Sequence, residues 1–241
     1  MKRGFGVLLA VCAAMAIAKA ASEVRSPLRK EAGAGAVSGV PPSGPGVILY
    51  DQFNSASGNG APDQDFEAAL DSYDSEGADD FVVTDTAWSV VGVNTIGIQS
   101  SGGTATSVDV TFYDNAAGGG NPDLPGTVEC SYAGVIPLEA AGSFTIILPA
   151  PCLLPMGTHW VAIQTNQPFG GGNGQHFWGN RTVQSGSESV WRNPGDGFAS
   201  GCTSFAPQTS CGVGGGTSPD FLFQIVGDVV PVELESFEAT E

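Results

Sequence analysis

The stretch SVDVTFYD, residues 107–114, alternates apolar and polar side chains, a pattern that indicates a β-strand with one buried face. Successive side chains of a strand point to opposite faces of its sheet. We therefore expect Val108, Val110 and Phe112 to face a core, and Asp109 and Thr111 to face water. The fold around this stretch is expected to be a sheet that is apolar on one side and wet on the other.

Similar short runs recur along the chain between clusters of Gly, Asn, Asp and Pro, which is typical of strands joined by turns. A helical period occurs once, where Phe66, Leu70 and Tyr73 follow one another at i, i+4 and i+7. The sequence therefore predicts an all-β fold, a two-sheet antiparallel β-sandwich that is jelly-roll-like, with one short helical segment near 65–75. The predicted strands are VILYDQF, DDFVVT, WSVVGVNTIGIQ, SVDVTFYD, TVECSYAG, SFTIILP, HWVAIQTN, QHFWGNRT, SVWR and PDFLFQIVG.

The first twenty residues have the pattern of a secretory signal peptide. Two cations precede an apolar run from about Phe5 to Ala18, and a small-residue triplet then ends at Ala20, where cleavage is expected. The alternative is a lipoprotein signal in which Cys12 becomes the lipidated first residue, but Val11 is too bulky for the position before it. The chain is thus predicted to be secreted or attached to the cell surface.

The amino-acid composition divides the rest of the chain into three regions. Residues 21–46 consist mostly of Ala, Gly, Ser and Pro and are predicted to be an extended, mobile linker. The sandwich domain is expected over 47–228, and residues 229–241 form a C-terminal tail or the start of a domain that is missing here. No later run approaches the roughly 20 apolar residues that a membrane-spanning helix needs, so no membrane span is expected.

Removal of the signal leaves an even number of cysteines in an exported chain, which favours disulfides. Four cysteines allow three connectivities, and sequence separation favours the local one. Zinc is the alternative, but the sequence has no CxxC pair, and His159 and His176 lie far from ligand spacing. The favoured pairs are Cys130 with Cys152 and Cys202 with Cys211.

The chain is strongly acidic, with 25 acidic against eight basic residues and a net charge of −17. Cleavage after Ala20 would remove three basic residues and no acidic one, which takes the net charge to −20. Such a charge repels nucleic acid and anionic membranes, so neither is an expected partner, and it attracts divalent cations.

The segment Asp63–Phe81 is rich in Asp and Glu and lacks Lys and Arg. Its carboxylates match ligand positions 1, 3, 5, 9 and 12 of an EF-hand loop, and such hard oxygen ligands suit Ca²⁺. The loop requires Gly at position 6, where this chain has Ala68, and Glu at position 12, where it has Asp. A solvated acidic surface is therefore the alternative interpretation. The candidate Ca²⁺ ligands are Asp63, Asp65, Glu67, Asp71 and Asp74.

Aromatic residues and the only two cations after Lys30 occur together in the later part of the chain. Exposed rings beside hydrogen-bond donors can hold sugars, because a ring stacks on the apolar face of a pyranose. The alternative is that these rings fill the ends of the sandwich, since Trp is highly buried on average. The candidate contacts for a polysaccharide or cell-surface glycan are Trp178, Arg181, Trp191 and Arg192.

Several stretches, including GTHWVAIQ, VWRNPGDGFASGCTSF and SPDFLFQIVG, resemble a group of secreted bacterial β-sandwich accessory modules found in exported multidomain proteins. The resemblance spans about residues 47–227 and implies an exported module without catalytic residues. The ending VPVELESFEATE, residues 230–241, is similar to the opening strand of C-terminal domains in surface-exported bacterial proteins, although here the chain stops after that strand.

No GxSxG, HExxH or GxxxxGK[ST] motif is present, so the sequence carries none of these catalytic or phosphate-binding signatures. The function expected is therefore a secreted or cell-surface module that is not an enzyme and that serves for binding or structure, with Ca²⁺ as the one candidate cofactor. The alternative is a secreted hydrolase of unrecognised type that uses Asp and Glu carboxylates. It would need carboxylates held at set distances on either side of the scissile bond.

Overall fold

The computed structural model describes residues 28–33, 39–41, 46–116 and 123–231. The predicted signal peptide over 1–20 and the tail beyond Pro231 lie outside these residues. Over the described part the fold is all-β, with two sheets, as predicted. The strands are β1 (Val47–Asp51), β2 (Ala56–Pro62), β3 (Gln64–Asp65), β4 (Glu76–Thr95), β5 (Gly97–Gln99), β6 (Ser107–Asn115), β7 (Pro125–Val135), β8 (Leu138–Ala140), β9 (Ser143–Asn166), β10 (His176–Arg181), β11 (Val190–Arg192), β12 (Ala206–Pro207), β13 (Asp220–Phe221) and β14 (Phe223–Val229).

The larger sheet has the strand order β1-β14-β4-β9-β6-β7, and every neighbouring pair in this order is antiparallel. The short strands β3 and β8 both pair with β9. Strand β11 pairs with β4, and β12 pairs with β11. The β3–β9 pair is parallel. The smaller sheet has the order β13-β10-β2, with β5 also on β10. The long strands β4 and β9 therefore form the centre of the molecule.

The core lies between the two sheets. Val108, Val110 and Phe112 of β6 are fully buried in it, whereas Asp109 and Thr111 are partly exposed, which confirms the alternation predicted from SVDVTFYD. A second, smaller cluster occupies the outer face of the large sheet, where Trp160 is covered by loops. Because loops cover part of its outer face, the large sheet has less solvent-exposed surface than the alternation of apolar and polar residues alone indicates.

The predicted helical segment is present as a 3-10 helix, Ala68–Tyr73. Phe66, just before it, is buried, and Tyr73 packs edge-on against Phe198 with ring centroids 5.2 Å apart. The second helix of the described part is a single turn, α1 (Gln208–Cys211). Within the described ranges no helix has the length and apolar character required to cross a bilayer.

Both favoured disulfides are confirmed. Cys130 of β7 bonds Cys152 of β9 with Cα atoms 6.0 Å apart, and Cys202 bonds Cys211 with Cα atoms 5.8 Å apart. The first ties the edge strand β7 to the central strand β9, and the second closes the loop that carries β12. These bonds are compatible with an extracellular location.

Part of the predicted linker, residues 28–33, packs against the sandwich. The segment Leu28–Gly33 lies on the small sheet, where the amide of Ala32 donates to the carbonyl of Gly60 at 3.1 Å and Leu28 packs against the core. The Gln175 side chain donates to the carbonyl of Arg29 and accepts from its amide. A segment without a hydrophobic period can still be fixed in this way, because its backbone groups pair with the edge of β2.

Candidate functional site

The first candidate ligand of the acidic segment, Asp63, points into the protein. Its Oδ1 lies 2.6 Å from Nδ1 of His176, and its Oδ2 accepts a hydrogen bond from the hydroxyl of Thr165 at 3.1 Å. The other ring nitrogen of His176 lies 2.8 Å from the carbonyl oxygen of Gly142. Both partners of the ring are acceptors, and they raise the pKa of His176 although burial opposes the charge. Asp63 and His176 therefore form a buried structural ion pair.

The remaining candidate ligands have different surroundings. Glu67 accepts the amide N–H of Phe169 at 2.7 Å, and Asp74 accepts that of Phe66 at 2.8 Å. Burial, together with Asp65 and Asp71, raises the pKa of Asp74 to about 6. No group of three or more His, Cys, Asp or Glu side chains in the described ranges is arranged to hold a metal ion. The prediction that Asp63 shares a Ca²⁺ site with the other four is wrong, because its carboxylate is committed to His176.

Both candidate tryptophans are core residues. Trp178 stacks on Phe221 with ring centroids 4.4 Å apart, and its indole N–H donates to the carbonyl of Leu222. Trp191 is fully buried and donates to the carbonyl of Pro62. A ring that is covered by protein has no face left for a sugar, so the prediction that these two rings contact a glycan is wrong. The alternative, that they fill the sandwich, describes the structure.

Arg181 is also buried, and it faces the carboxylate of Asp220 at 3.4 Å. It donates in addition to Asn54, to the carbonyl of Val183 and to the hydroxyl of Ser185. Its guanidinium holds loops together and is not available to a ligand.

Arg192 is the one of the four candidate contacts whose side chain is not buried, since 35% of it is exposed. The guanidinium pairs with Glu76, and its central carbon lies 4.2 Å from the ring centroid of Phe205. Phe205 meets the half-buried ring of Tyr113 edge-on at 6.1 Å. We call Glu76, Tyr113, Arg192 and Phe205 the arginine patch. It lies on the outer face of the large sheet, above the buried Trp160.

Three members of the arginine patch, Glu76, Tyr113 and Phe205, were not among the candidate contacts selected from sequence. Tyr113 directly follows the inward Phe112 in SVDVTFYD, so the alternation already places an aromatic ring on the wet face. The sequence therefore contained a signal for the position of Tyr113. Glu76 had no such signal, because its pairing with Arg192 joins residues 116 positions apart.

The two histidines have similar environments. Nδ1 of His159 lies 2.6 Å from Glu129 and its Nε2 lies 2.7 Å from the carbonyl oxygen of Pro155. As at His176, a carboxylate occupies one side of the ring and a main-chain carbonyl the other. His159 is therefore a hydrogen-bonded structural residue.

A third buried charged group joins β4 and β13. Asp79 accepts hydrogen bonds from the amides of Asp80 and Phe221 and from the side chain of Gln52. Phe81 and the alternating Val83 enter the core, and the neighbouring Asp80 faces the polar loop 182–189. Asp79 and Asp80 thus point to opposite faces of β4, although both are buried.

Comparisons of the chain with protein-family models, with curated proteins and with solved structures found no match.

Proposed function

We propose that this protein is an exported, non-catalytic β-sandwich module that binds a neutral glycan at the arginine patch. The observation that carries the proposal is the partly exposed Arg192 side chain, whose guanidinium is held between the Glu76 carboxylate and the Phe205 ring. A guanidinium has five N–H donors, and those that Glu76 leaves free can donate to sugar hydroxyls.

The charge of the protein favours a neutral ligand. The net charge of −17 repels anionic polymers, whereas ring stacking and hydrogen bonds to hydroxyls need no charge on the ligand. The buried charged groups also support a non-catalytic role, because Asp63, His176, Asp79 and His159 use their polar atoms in contacts within the protein. The predicted signal peptide and the two disulfides support export.

Two conservative changes at the arginine patch are expected to weaken glycan binding. Arg192→Lys keeps the charge but removes the planar fork of donors, and Phe205→Leu keeps apolar volume but removes the aromatic face. We expect each to reduce retention on insoluble cellulose, chitin or starch by about fivefold or more, which corresponds to about 1 kcal/mol. Pull-down isotherms with the purified protein measure this.

The matched control is Thr84→Ala, an exposed position on β4 outside the patch. It should bind as the wild type does, and all variants should keep their melting temperature. Wild-type protein that none of the three polysaccharides retains, or patch variants that bind normally, would contradict the proposal. A parallel screen against glycosides, esters and casein tests the hydrolase alternative, which reproducible turnover abolished by one Asp or Glu substitution would support.

We also propose that Ca²⁺ stabilises the acidic segment by reducing the repulsion among Asp65, Asp71 and Asp74, without a shared coordination site, since no three side chains of the described ranges are arranged to hold one ion. These carboxylates repel one another, and that repulsion contributes to the raised pKa of Asp65 and of Asp74. A cation bound only by the folded state stabilises it by mass action. Millimolar Ca²⁺ is therefore expected to raise the melting temperature relative to EDTA at matched ionic strength, and Asp71→Asn is expected to reduce the effect. An equal melting temperature in the two buffers would leave the solvated acidic surface as the correct interpretation.

A further inference from the structure

Two buried carboxylates, Asp80 and Asp220, accept hydrogen bonds from the segment 182–189, which joins β10 to β11. A third, Asp79, points to the other face of β4 from Asp80 and interacts electrostatically with both. Asp79 and Asp220 have no exposed surface, and Asp80 is 2% exposed. The charged and titratable groups that face them are Arg181, Tyr50 and Asp123. Arg181 pairs with Asp220 and lowers the pKa of that carboxyl group, against the effect of burial. We call Asp79, Asp80 and Asp220 the carboxylate cluster.

The segment is attached to the cluster by main-chain hydrogen bonds. The amide of Ser185 donates to Oδ2 of Asp220 at 2.6 Å, and the amide of Ser187 donates to Oδ1 of Asp80 at 3.0 Å. Arg181 adds bonds to the carbonyl of Val183 at 2.9 Å and to the hydroxyl of Ser185 at 2.6 Å. Each of the two carboxyl groups thus uses one oxygen atom to hold the segment.

The second carboxyl oxygens of Asp220 and Asp80 have surroundings that differ from those of the first. Oδ1 of Asp220 is buried and has no hydrogen-bond partner among the described residues. Oδ2 of Asp80 lies against Gly186, where an added Cβ would come within 2.3 Å of it. A proton on either second oxygen would leave the first free to accept the same amide N–H. The attachments therefore do not require ionised carboxylates.

Ionisation of the whole carboxylate cluster raises the free energy of the folded state. Burying several like charges with a single counter-charge is unfavourable, because neither water nor a second cation compensates the repulsion. We propose that the carboxylate cluster takes up protons at mildly acidic pH and thereby holds segment 182–189 against the sandwich, whereas at alkaline pH the ionised cluster lets the segment open more often.

The direction of the effect follows from the folded-state pKa values. Burial raises the pKa of Asp220 to about 7 and that of Asp80 to about 6, and burial with the nearby Asp220 raises the pKa of Asp79 well above its usual range. The folded state therefore binds protons more tightly than the unfolded state. The stabilising contribution is complete below the usual Asp pKa of 3.8, declines as the pH rises above it, and is lost once the pH has passed about 6 to 7.

Hydrogen exchange of segment 182–189 tests the proposal. In the wild-type protein, protection factors corrected for the intrinsic exchange rate should be about tenfold lower at pH 8 than at pH 5.5, the equivalent of one pKa unit. In Asp220→Asn, which imitates the neutral acid, most of this difference should disappear. The matched control Asp228→Asn, at an exposed position of β14, should keep it.

Equal protection at the two pH values, or higher protection at pH 8, would overturn the proposal. So would an Asp220→Asn protein that keeps the full wild-type difference. If Asp220→Asn does not fold, Asp80→Asn takes its place, because Asp80 holds the same segment through Ser187. The readout is confined to segment 182–189, so titration of Asp74, which is in the acidic segment, does not contribute to it.

Discussion

Trp178→Ala is expected to lower the free energy of unfolding by about 3–5 kcal/mol, the usual cost of truncating a large buried aromatic residue. The ring is 1% exposed and touches both sheets, since it stacks on Phe221 of β13 and meets Phe223 of β14 edge-on at 6.2 Å. Its removal leaves a cavity at the junction of the sheets and leaves the carbonyl of Leu222 without its indole donor. Equilibrium unfolding in urea measures the loss.

Trp178→Phe separates the two contributions at this position. It keeps most of the packing and loses only the hydrogen bond, so we expect a cost of about 1–3 kcal/mol. A loss below about 1 kcal/mol for Trp178→Ala would mean that the ring is not a core residue, and it would reopen its assignment as a sugar platform. Thr84→Ala, at an exposed position, provides the baseline.

Asp63→Ala is expected to cost about 3–5 kcal/mol, because it leaves a buried cationic group without its partner. His176 would keep the carbonyl of Gly142 on one side of its ring and lose the carboxylate on the other. The hydroxyl of Thr165 would lose its acceptor as well. Unfolding in urea at pH 6 gives the value.

Asp65→Ala is the matched control for Asp63→Ala, two residues further along the same segment. Asp65 is partly exposed, and repulsion from Asp109 and Asp71 contributes to its raised pKa. Its removal should therefore be neutral or slightly stabilising. Equal losses for the two variants would show that the buried pair with His176 does not distinguish Asp63 from its neighbours.

Local patterns in the sequence predicted the parts of the fold that depend on near neighbours. The alternation in SVDVTFYD placed Val108 and Phe112 in the core, and the short separation of Cys202 and Cys211 identified their disulfide. The period of Phe66 and Tyr73 likewise located the helical segment. In each case the deciding interaction joins residues that are close in the chain.

The site depends on distant pairs, which a single sequence does not show. Asp63 meets His176 across 113 positions, so a run that resembles a calcium loop contains a carboxylate that faces the core. The tryptophans were ambiguous because the same residue type serves as a core ring and as a sugar platform, and only the packing against Phe221 decides for Trp178. Arg192 was identified because it is one of only two cations after Lys30 in the sequence. Nothing in the sequence identified its partner Glu76.

The disulfide between Cys202 and Cys211 encloses Phe205, the ring on which the Arg192 guanidinium rests. The aromatic half of the arginine patch is therefore fixed by a bond that forms in oxidising compartments and not in the reducing cytosol. Under the proposed function, a chain held back before export would carry the guanidinium without an anchored ring beside it. The proposed ligand binding would then be acquired during maturation, at the same step as the proposed export.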